Sequence, residues 1–211
     1  MHAASTADDT KRLILDTARE HLRRFGEHKM TIVDVAKSLG MSHANVYRYF
    51  RNKTEILDAI VDEWLAKVEE VLAPIVQQPE SAASRIENVV LEIYRRRRLK
   101  LQVDAEVYET FRRIVGSRPD AVAERVRKID SVFQQLVAEG IAAGEFPEVD
   151  PEAAAVALND ATAIFLHPLM TAAFMSETTE ARLRNVVSLV LDGIRHSKNP
   201  AGFLTKSESA R

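Results

Sequence analysis

Cysteine is absent from the 211-residue sequence, and glycine and proline are scarce, with seven of each. The absence of cysteine excludes disulfides, thiolate metal sites and cysteine nucleophiles, and it fits a cytoplasmic protein. The first residues, "MHAASTADDTKR", lack the basic and apolar regions of a signal peptide, and we find no run of 18 apolar residues. We therefore expect a soluble, cytoplasmic protein with no membrane partner.

The sequence also lacks the motifs that commonly support catalysis. Its six histidines show no paired spacing for a metal, and there is no His-x-x-x-His, no glycine-rich phosphate loop and no Gly-x-Ser-x-Gly. Because no convergent acid, base or nucleophile can be identified, we expect a protein that is not an enzyme and that uses no metal and no cofactor.

Charge is distributed unevenly along the chain, although the net charge is only −2. Residues 1–53 hold ten Lys and Arg against six Asp and Glu, a net charge of +4, whereas the remaining residues carry −6. A basic head on an acidic body predicts that only the head meets a polyanion. Ordinary variation of surface charge would give the same numbers, so charge alone leaves both interpretations open.

Apolar residues recur with helical spacing almost throughout, and no stretch alternates as a β-strand would. Gly26 is expected to end the first helix. Thr31 with Asp34 predicts the start of a two-turn second helix that ends at Gly40. The apolar stripe of the first helix consists of Leu13, Ala18, Leu22 and Phe25.

Later helices are marked by polar caps and by proline. Ser42 predicts a third helix over residues 43–49, and Asn52 with Glu55 predicts a fourth that runs to Pro74. His167-Pro168 is expected to kink a helix, since proline lacks an N–H. Further helices are predicted near 81–100, 103–115, 119–142, 151–174 and 178–196, which gives an all-α fold of about nine helices.

The second and third predicted helices have the proportions of a helix-turn-helix. Polar and aromatic side chains remain on the outside of the third helix, where they can reach bases and phosphates in a major groove about 12 Å wide. Phe50 is expected to turn inward. The small core beneath is predicted to contain Leu22, Phe25, Val35, Leu39, Met41 and Val46.

The stretch "TIVDVAKSLGMSHANVYRYFRNKTEIL" resembles the tetracycline-repressor (TetR) family of bacterial transcription regulators. The resemblance lies in a capping Thr, a V-A pair, L-G, a Ser-led helix and Y-x-Y-F-x-x-K. It implies a three-helix DNA-binding domain over residues 10–53, which a long helix joins to a helical ligand-binding and dimerisation domain over residues 54–196. Residues 1–9 would form a disordered tail, and residues 197–211 a loose one.

The resemblance implies roles in DNA binding for nine residues. Thr31 and Ser42 would contact phosphates, Lys53 would neutralise a phosphate, and Asn45 would pair with adenine. Tyr47 could instead close the core, and His43 could simply be solvated. The full set is Thr31, Ser42, His43, Ala44, Asn45, Tyr47, Arg48, Tyr49 and Lys53. Ala44 and Asn45 differ from the residues frequent in the family, so the base preference cannot be carried over.

In the second domain, the resemblance implies a ligand pocket and a dimer interface. Pocket candidates are Trp64, Tyr94, Tyr108, Phe111, Phe133, Asn159, Thr162 and His167. Interface candidates are Leu158, Ala161, Phe165, Leu169, Ala173, Leu183, Val186, Val187, Val190 and Ile194. All of these residues could instead belong to the core of a single chain. The run Arg95–Arg98 is expected to be mostly solvated, although one or two of its members could face an anionic ligand such as an acyl-coenzyme A.

We therefore expect a ligand-responsive transcription regulator, most simply a repressor, that binds near-palindromic operator DNA as a homodimer. A small-molecule effector bound to the second domain would release it from DNA. The alternative is a DNA-binding regulator or architectural protein that has no small-molecule ligand.

Overall fold

The computed structural model describes residues 7–121 and 123–197, and within these ranges it confirms the predicted all-α fold. The helices are α1 (Ala7–Lys29), α2 (Ile32–Ser38), α3 (His43–Tyr47), α4 (Lys53–Val76), α5 (Ala82–Val103), α6 (Ala105–Ser117), α7 (Ala123–Ala142), α8 (Pro151–Leu166), α9 (Pro168–Ala173) and α10 (Glu180–Arg195). A 3-10 turn, Pro119–Ala121, follows α6. Of the predicted tails, residues 1–6 and 198–211 lie outside the described residues, whereas residues 7–9 already belong to α1.

Side-chain caps begin α2, α3 and α4, as the sequence predicts. The three hydrogen bonds run from Asp34 N to Thr31 Oγ1 (3.1 Å), from Asn45 N to Ser42 Oγ (3.2 Å) and from Glu55 N to Asn52 Oδ1 (2.9 Å). Each satisfies a backbone N–H that has no partner inside the helix. Helix α3 is two residues shorter than predicted, because the last turn tightens through an Arg48 N to Asn45 O bond (3.2 Å) and the chain then buries Phe50.

The chain packs as two compact units. Among the described residues, the head unit consists of residues 7–66 and 99–121, and the body unit of residues 67–98 and 123–197. The unit boundaries fall inside α4 and α5, and α6 belongs to the head unit. The functional division at residue 53 stays a prediction, because compact packing and function need not share a boundary.

The core of the head unit combines α1, the helix-turn-helix and the start of α4. Its members are Ile14, Leu15, Ala18, Leu22, Met30, Ile32, Val35, Ala36, Val46, Phe50, Ile56, Leu57, Ile60 and Val107. Val107 lies on α6, so this helix supplies a side chain to the same core as α1 and α3. Leu22, Val35, Val46 and Phe50 are therefore core residues, as predicted.

Two members of the predicted α1 stripe lie on the surface instead. Leu13 and Phe25 are each 48% exposed, because Ile14 and Leu15 fill the inward face of α1. Gly26 (φ 74°, ψ 166°) breaks the regular helix directly after Phe25, in a conformation that favours glycine. The Phe25 ring lies beside the His21 ring, with a centroid distance of 5.5 Å, and under the Arg24 guanidinium.

In the body unit, the predicted kink at Pro168 is a complete break. The segment predicted as one helix over 151–174 forms α8 and α9, and His167 between them has an extended backbone (φ −69°, ψ 128°). Residues before proline are disfavoured in the helical region, which explains the break. The combined segment Pro151–Ala173 is long and apolar enough to cross a membrane by length and composition alone. However, Leu158, Phe165 and Leu166 are buried inside the chain, as in a core helix.

Candidate DNA interface and ligand-binding region

The outer face of α3 carries the exposed candidates for DNA binding. Ser42, His43, Ala44, Tyr47 and Arg48 are all exposed, while Val46 on the opposite face is fully buried. Tyr47 is 46% exposed, which excludes the alternative that it closes the core of this chain. The α3 surface, as we call these five exposed residues, therefore offers hydroxyl, imidazole, phenol and guanidinium groups on two turns of backbone.

Two aromatic side chains organise the α3 surface. The rings of His43 and Tyr47 lie one helical turn apart with a centroid distance of 6.4 Å and an interplanar angle of 89°. This edge-to-face arrangement restricts both side chains before any ligand arrives. Preordering reduces the conformational entropy that binding would cost.

Asn45 and Tyr49 are less exposed than the other candidates on and after α3. Asn45 is half-buried, and its Nδ2 donates to Met41 Sδ at 3.6 Å, which leaves its carbonyl oxygen and its second N–H available. Tyr49 packs against the head core. Asn45 and its exposed neighbours therefore keep hydrogen-bonding groups available to a ligand, whereas Tyr49 has mainly a structural role.

The two capping hydroxyls differ in their freedom to bind phosphate. Thr31 Oγ1 accepts from Asp34 N and also donates to Asp34 Oδ2 at 2.6 Å, so its single proton is engaged and a carboxylate lies beside it. Ser42 Oγ accepts from Asn45 N and keeps its own proton available. Ser42 is therefore the better phosphate donor of the pair.

Lys53, the predicted phosphate ligand on α4, already has a partner in the chain. Its Nζ donates to the carbonyl oxygen of Glu27, just beyond the break in α1. An ammonium group has three N–H donors, so two remain for a phosphate. Lys53 thus has a structural role, and the predicted contact with DNA remains open to it.

Charged side chains tie α6 to α1 within the head unit. Arg23 donates from Nε and Nη2 to the two carboxylate oxygens of Asp104 at 3.0 and 2.9 Å, and Lys100 Nζ donates to Asp104 Oδ2 at 2.6 Å. Burial alone would raise the pKa of Asp104, but the hydrogen bonds from Arg23 and Lys100 lower it. Burial lowers the pKa of Lys100, and the hydrogen bond to Asp104 opposes that shift.

A second tie between α1 and α6 centres on Glu27. Its carboxylate accepts from Arg113 and from Thr110 Oγ1 (3.3 Å), both on α6. Sequence reasoning missed both Asp104 and Glu27, because acidic residues at helix ends look like ordinary caps until their distant partners are known. The sequence offered one signal: α1 and α6 carry several arginines for which no other function is evident, and such residues need acidic partners.

The eight predicted pocket residues are divided between the head unit and the body unit. Trp64, Tyr108 and Phe111 form an aromatic cluster in the head unit, with centroid distances of 4.7–6.1 Å. In the body unit, Tyr94 and Phe133 are buried, and Thr162 is buried with its hydroxyl bonded to Leu158 O (2.7 Å). The alternative that these residues form core is supported for all six.

The remaining polar pocket candidates, Asn159 and His167, also have local partners. Asn159 Nδ2 donates to Asp130 Oδ1 at 3.1 Å, while burial raises the pKa of Asp130 against the opposing effects of this bond and of Arg97. His167 Nδ1 accepts from Leu169 N at 3.3 Å and caps α9. Burial, and then the charge of Arg97, lower the pKa of His167.

The body unit contains a groove between α4 and α7 that the sequence did not predict. It encloses about 330 Å³ and has an apolar floor of Leu72, Val76 and Ile129 with polar side chains around it. The other lining residues are Glu69, Ala73, Gln77, Lys128, Ser131, Val132 and Gln135. We call it the α4–α7 groove. None of the eight predicted pocket residues lines it.

Members of the arginine run make contacts inside the body unit, although Arg95 is exposed and the other three arginines are half-buried. Arg95 pairs with Glu180 through two hydrogen bonds (2.6 and 2.8 Å), and Arg96 pairs with Glu92 (2.7 Å). Arg98 donates to the carbonyls of Met175 (2.8 Å) and Thr178 (3.1 Å). These bonds fix the loop before α10 to α5.

The predicted dimer residues fall into two groups. Leu158, Phe165, Leu183, Val187 and Ile194 are buried inside the single chain, so they have no surface for a partner. Val186 and Val190 are half-buried, while Ala161, Leu169 and Ala173 are exposed. The five residues are buried because α8 and α10 pack against each other, and the larger residues of each apolar stripe lie in this contact.

Comparisons with known proteins agree with the fold and the helix-turn-helix. Residues 14–60 match the family described as "Bacterial regulatory proteins, tetR family", and residues 82–187 match "Tetracyclin repressor-like, C-terminal domain". The sequence is 28% identical over 152 residues to the uncharacterized HTH-type transcriptional regulator YhgD of Bacillus subtilis (strain 168), covering 68% of this chain and 75% of YhgD.

Solved structures give the same result. A TetR/AcrR-family regulator from Thermobifida fusca superposes with a TM-score of 0.67 at 25% identity, covering 89% of this chain and 99% of the other. FadR of Bacillus subtilis, solved with stearoyl-CoA, superposes with a TM-score of 0.66 at 20% identity, covering 87% of this chain and 98% of FadR. The likeness to FadR concerns the fold alone.

Proposed function

Since the chain belongs to the TetR family of transcription regulators, we propose that it represses transcription by binding operator DNA as a homodimer and leaves the DNA when a small molecule binds its body unit. Members of this family are DNA-binding regulators rather than enzymes, and they are generally soluble and cytoplasmic. The observation that carries the proposal is the exposed α3 surface within a segment that matches the family's DNA-binding domain.

Chemistry favours the major groove as the partner of the α3 surface. Asn45 has a free carbonyl and N–H for an adenine edge, while Ser42 and Arg48 are suited to phosphates. His43, Ala44 and Tyr47 lie on the same exposed side and would face bases. The core beneath holds α3 rigidly, since Val46 and Phe50 are both buried.

A homodimer is proposed because one α3 reads too few base pairs for a specific operator. Two α3 helices must meet successive major grooves about 34–36 Å apart, which predicts a near-palindromic site. The surface available for the partner is the outer face of α8 and α10, where Val156 and Leu189 remain exposed, the latter at 73%. Ala157 and Ala161 on α8 are exposed and small, which permits close approach about a two-fold axis.

The α4–α7 groove is the proposed effector site. Its volume of about 330 Å³ lies at the lower end of the range for small-molecule pockets, and its apolar floor with polar rim suits a small apolar molecule. FadR was solved with stearoyl-CoA, but in this chain Arg95 and Arg96 pair with Glu180 and Glu92, whose carboxylates neutralise their charge and would repel coenzyme A phosphates. We therefore propose a small apolar effector rather than an acyl-coenzyme A.

Effector-induced release requires that the effector bind the non-binding conformation more tightly than the DNA-bound one. A regulator without an effector is the second candidate function, favoured by the small size of the groove. A gel-shift titration with the DNA that flanks the gene separates the two. Retardation that small apolar molecules reverse supports the effector, whereas retardation that no molecule in a broad panel reverses supports the second candidate.

A further inference from the structure

The basic residues of the head unit fall into two groups according to their contacts. Arg12, Arg19 and Arg23 each form an ion pair with an acidic side chain of α1, and Arg19 and Arg23 also pair with Glu63 of α4 and with Asp104 before α6, respectively. Within the part of the head unit that the structure describes, six cations form no ion pair: Lys11, Arg24, Lys29, Lys37, Arg48 and Lys53, and the last of these donates to a backbone carbonyl instead. A cation without an ion pair gives up no ion pair within the chain when it binds an anion.

Lys11 is the unpaired cation whose position relative to α3 is best defined. Its Nζ lies 5.6 Å from the ring centroid of Phe50, although Lys11 belongs to the second turn of α1. Phe50 is buried and follows the α3 C-cap residue, Arg48, by two positions. The Lys11 side chain itself is exposed. The ammonium is therefore held in solvent beside the C-terminal end of α3.

This position suits a phosphate rather than a base. A helix that enters the major groove has a sugar-phosphate strand on each side, and side chains beside its ends meet the strands before they can reach base edges. The Phe50 ring restrains the ammonium through a cation–π contact without neutralising its charge. Arg12, one residue further along α1, differs because Asp9 lies 3.7 Å from its guanidinium.

We propose that Lys11 binds a phosphate of the operator and thereby makes α1 a DNA-contacting element in addition to the helix-turn-helix. The contact supplies affinity and fixes the head on the duplex, but it carries no sequence information, since every base pair offers the same phosphates. The inference rests on the proposed DNA-binding function.

The test is the salt dependence of DNA affinity for Lys11→Gln, with Arg12→Gln as the matched control. Fluorescence anisotropy is measured with a labelled operator duplex and an unrelated duplex at several salt concentrations. Loss of one phosphate contact lowers the slope of log K against log salt by about 0.9, which corresponds to about eightfold weaker binding at 0.1 M salt. We expect this change for Lys11→Gln on both duplexes, no change for Arg12→Gln, and recovery of the slope in Lys11→Arg.

Three results would overturn the inference. An unchanged slope for Lys11→Gln excludes the contact, and an equal loss for Arg12→Gln shows a general effect of charge on α1. A loss of binding with an unchanged slope, accompanied by a lower melting temperature, shows that Lys11 only supports Phe50. Failure of the unmodified protein to bind any duplex would refute the proposed function itself and the Lys11 contact with it.

Discussion

Arg23 on α1 and Asp104 at the start of α6 form a bidentate ion pair, with N–O distances of 2.9 and 3.0 Å, although 81 residues separate them. The Asp104 side chain is only 3% exposed, and it also accepts from Lys100. Asp104 does not cap α6 with its side chain, because both oxygens serve the two cations. The pair fastens α6 to the helix that supports the helix-turn-helix.

Asp104→Asn should destabilise the head unit, because the amide leaves the largely buried Lys100 without its counter-charge and leaves Arg23 with only Glu20, 3.9 Å away. Because Asp104 is buried but Arg23 is half-exposed, the loss should lie between the values for buried and surface pairs, at about 1–2 kcal/mol. The measurement is urea denaturation followed by circular dichroism. Glu109→Gln is the control, since its pair with Arg112 on the surface of α6 (2.9 Å) should contribute about 0.5 kcal/mol or less. Equal losses for the two variants would contradict the importance given to Asp104.

The pH dependence of Glu180 tests the arrangement of the arginine run. The hydrogen bonds from Arg95, assisted by Arg184, lower the pKa of Glu180 to about 2. A carboxyl with a lowered pKa stabilises the fold above its unfolded pKa, and this contribution disappears as the pH falls towards 2. Carbon-detected NMR titration should show the low pKa in the unmodified protein and a value nearer 4.5 in Arg95→Gln. An unshifted pKa in the unmodified protein would show that the pair does not form in solution.

Gly140 on α7 permits close packing of Phe146, because a Cβ added at Gly140 would lie 2.4 Å from the Phe146 ring. Gly140→Ala should therefore lower stability by about 1–3 kcal/mol despite the better helix propensity of alanine. Gly193→Ala on α10 is the control, since nothing lies within 4 Å of its added Cβ, and it should be neutral or stabilising. The measurement is the thermal unfolding of both variants. An unchanged melting temperature for Gly140→Ala would show that the Phe146 ring does not pack against Gly140.

Leu189→Glu tests the proposed dimer surface. Leu189 is 73% exposed on α10, so a charge there should leave the monomer folded but weaken an interface that covers it. Sedimentation equilibrium should show dissociation at micromolar concentrations. Leu99→Glu on α5, which replaces another exposed leucine, should leave the dimer intact. A dimer that withstands Leu189→Glu would require a different interface.

The two capping hydroxyls predict unequal effects on DNA affinity. Ser42→Ala removes a proton that can reach a phosphate, whereas the Thr31 proton is already bound to Asp34. Both variants lose a cap worth about 1 kcal/mol of stability, so their unfolding free energies should fall similarly. Operator affinity, measured by anisotropy below both unfolding transitions, should fall more in Ser42→Ala. Equal losses of affinity in the two variants would show that the two hydroxyls do not differ in phosphate binding.

The helices and the helix-turn-helix could be predicted from local patterns, because capping and helical periodicity act within a few residues. Thr31, Ser42 and Asn52 each cap the helix that the sequence predicts. Which face of a helix is buried depends on contacts with residues that are distant in sequence. Leu13 and Phe25 show this, since they continue an apolar stripe yet lie on the surface once Ile14 and Leu15 face the core.

Residues that function through distant partners could not be predicted. Asp104 and Glu27 become notable only when Arg23, Lys100 and Arg113 lie beside them. Five members of the predicted dimer stripe are core residues for the same reason, because periodicity cannot tell whether Leu158 and Leu183 face a partner chain or each other's helix. The α4–α7 groove likewise depends on how two helices far apart in sequence approach.

The central claim, that α3 reads operator DNA through Asn45 and the neighbouring α3 surface, is tested most directly by the affinity of Asn45→Ala for a set of operator duplexes that differ at single base pairs. Pairing of Asn45 with one adenine predicts that the variant loses about 1–3 kcal/mol on the operator and that its discrimination falls at one base pair, repeated in each half-site, with the other positions unchanged. An affinity and a discrimination pattern identical to those of the unmodified protein would contradict the account.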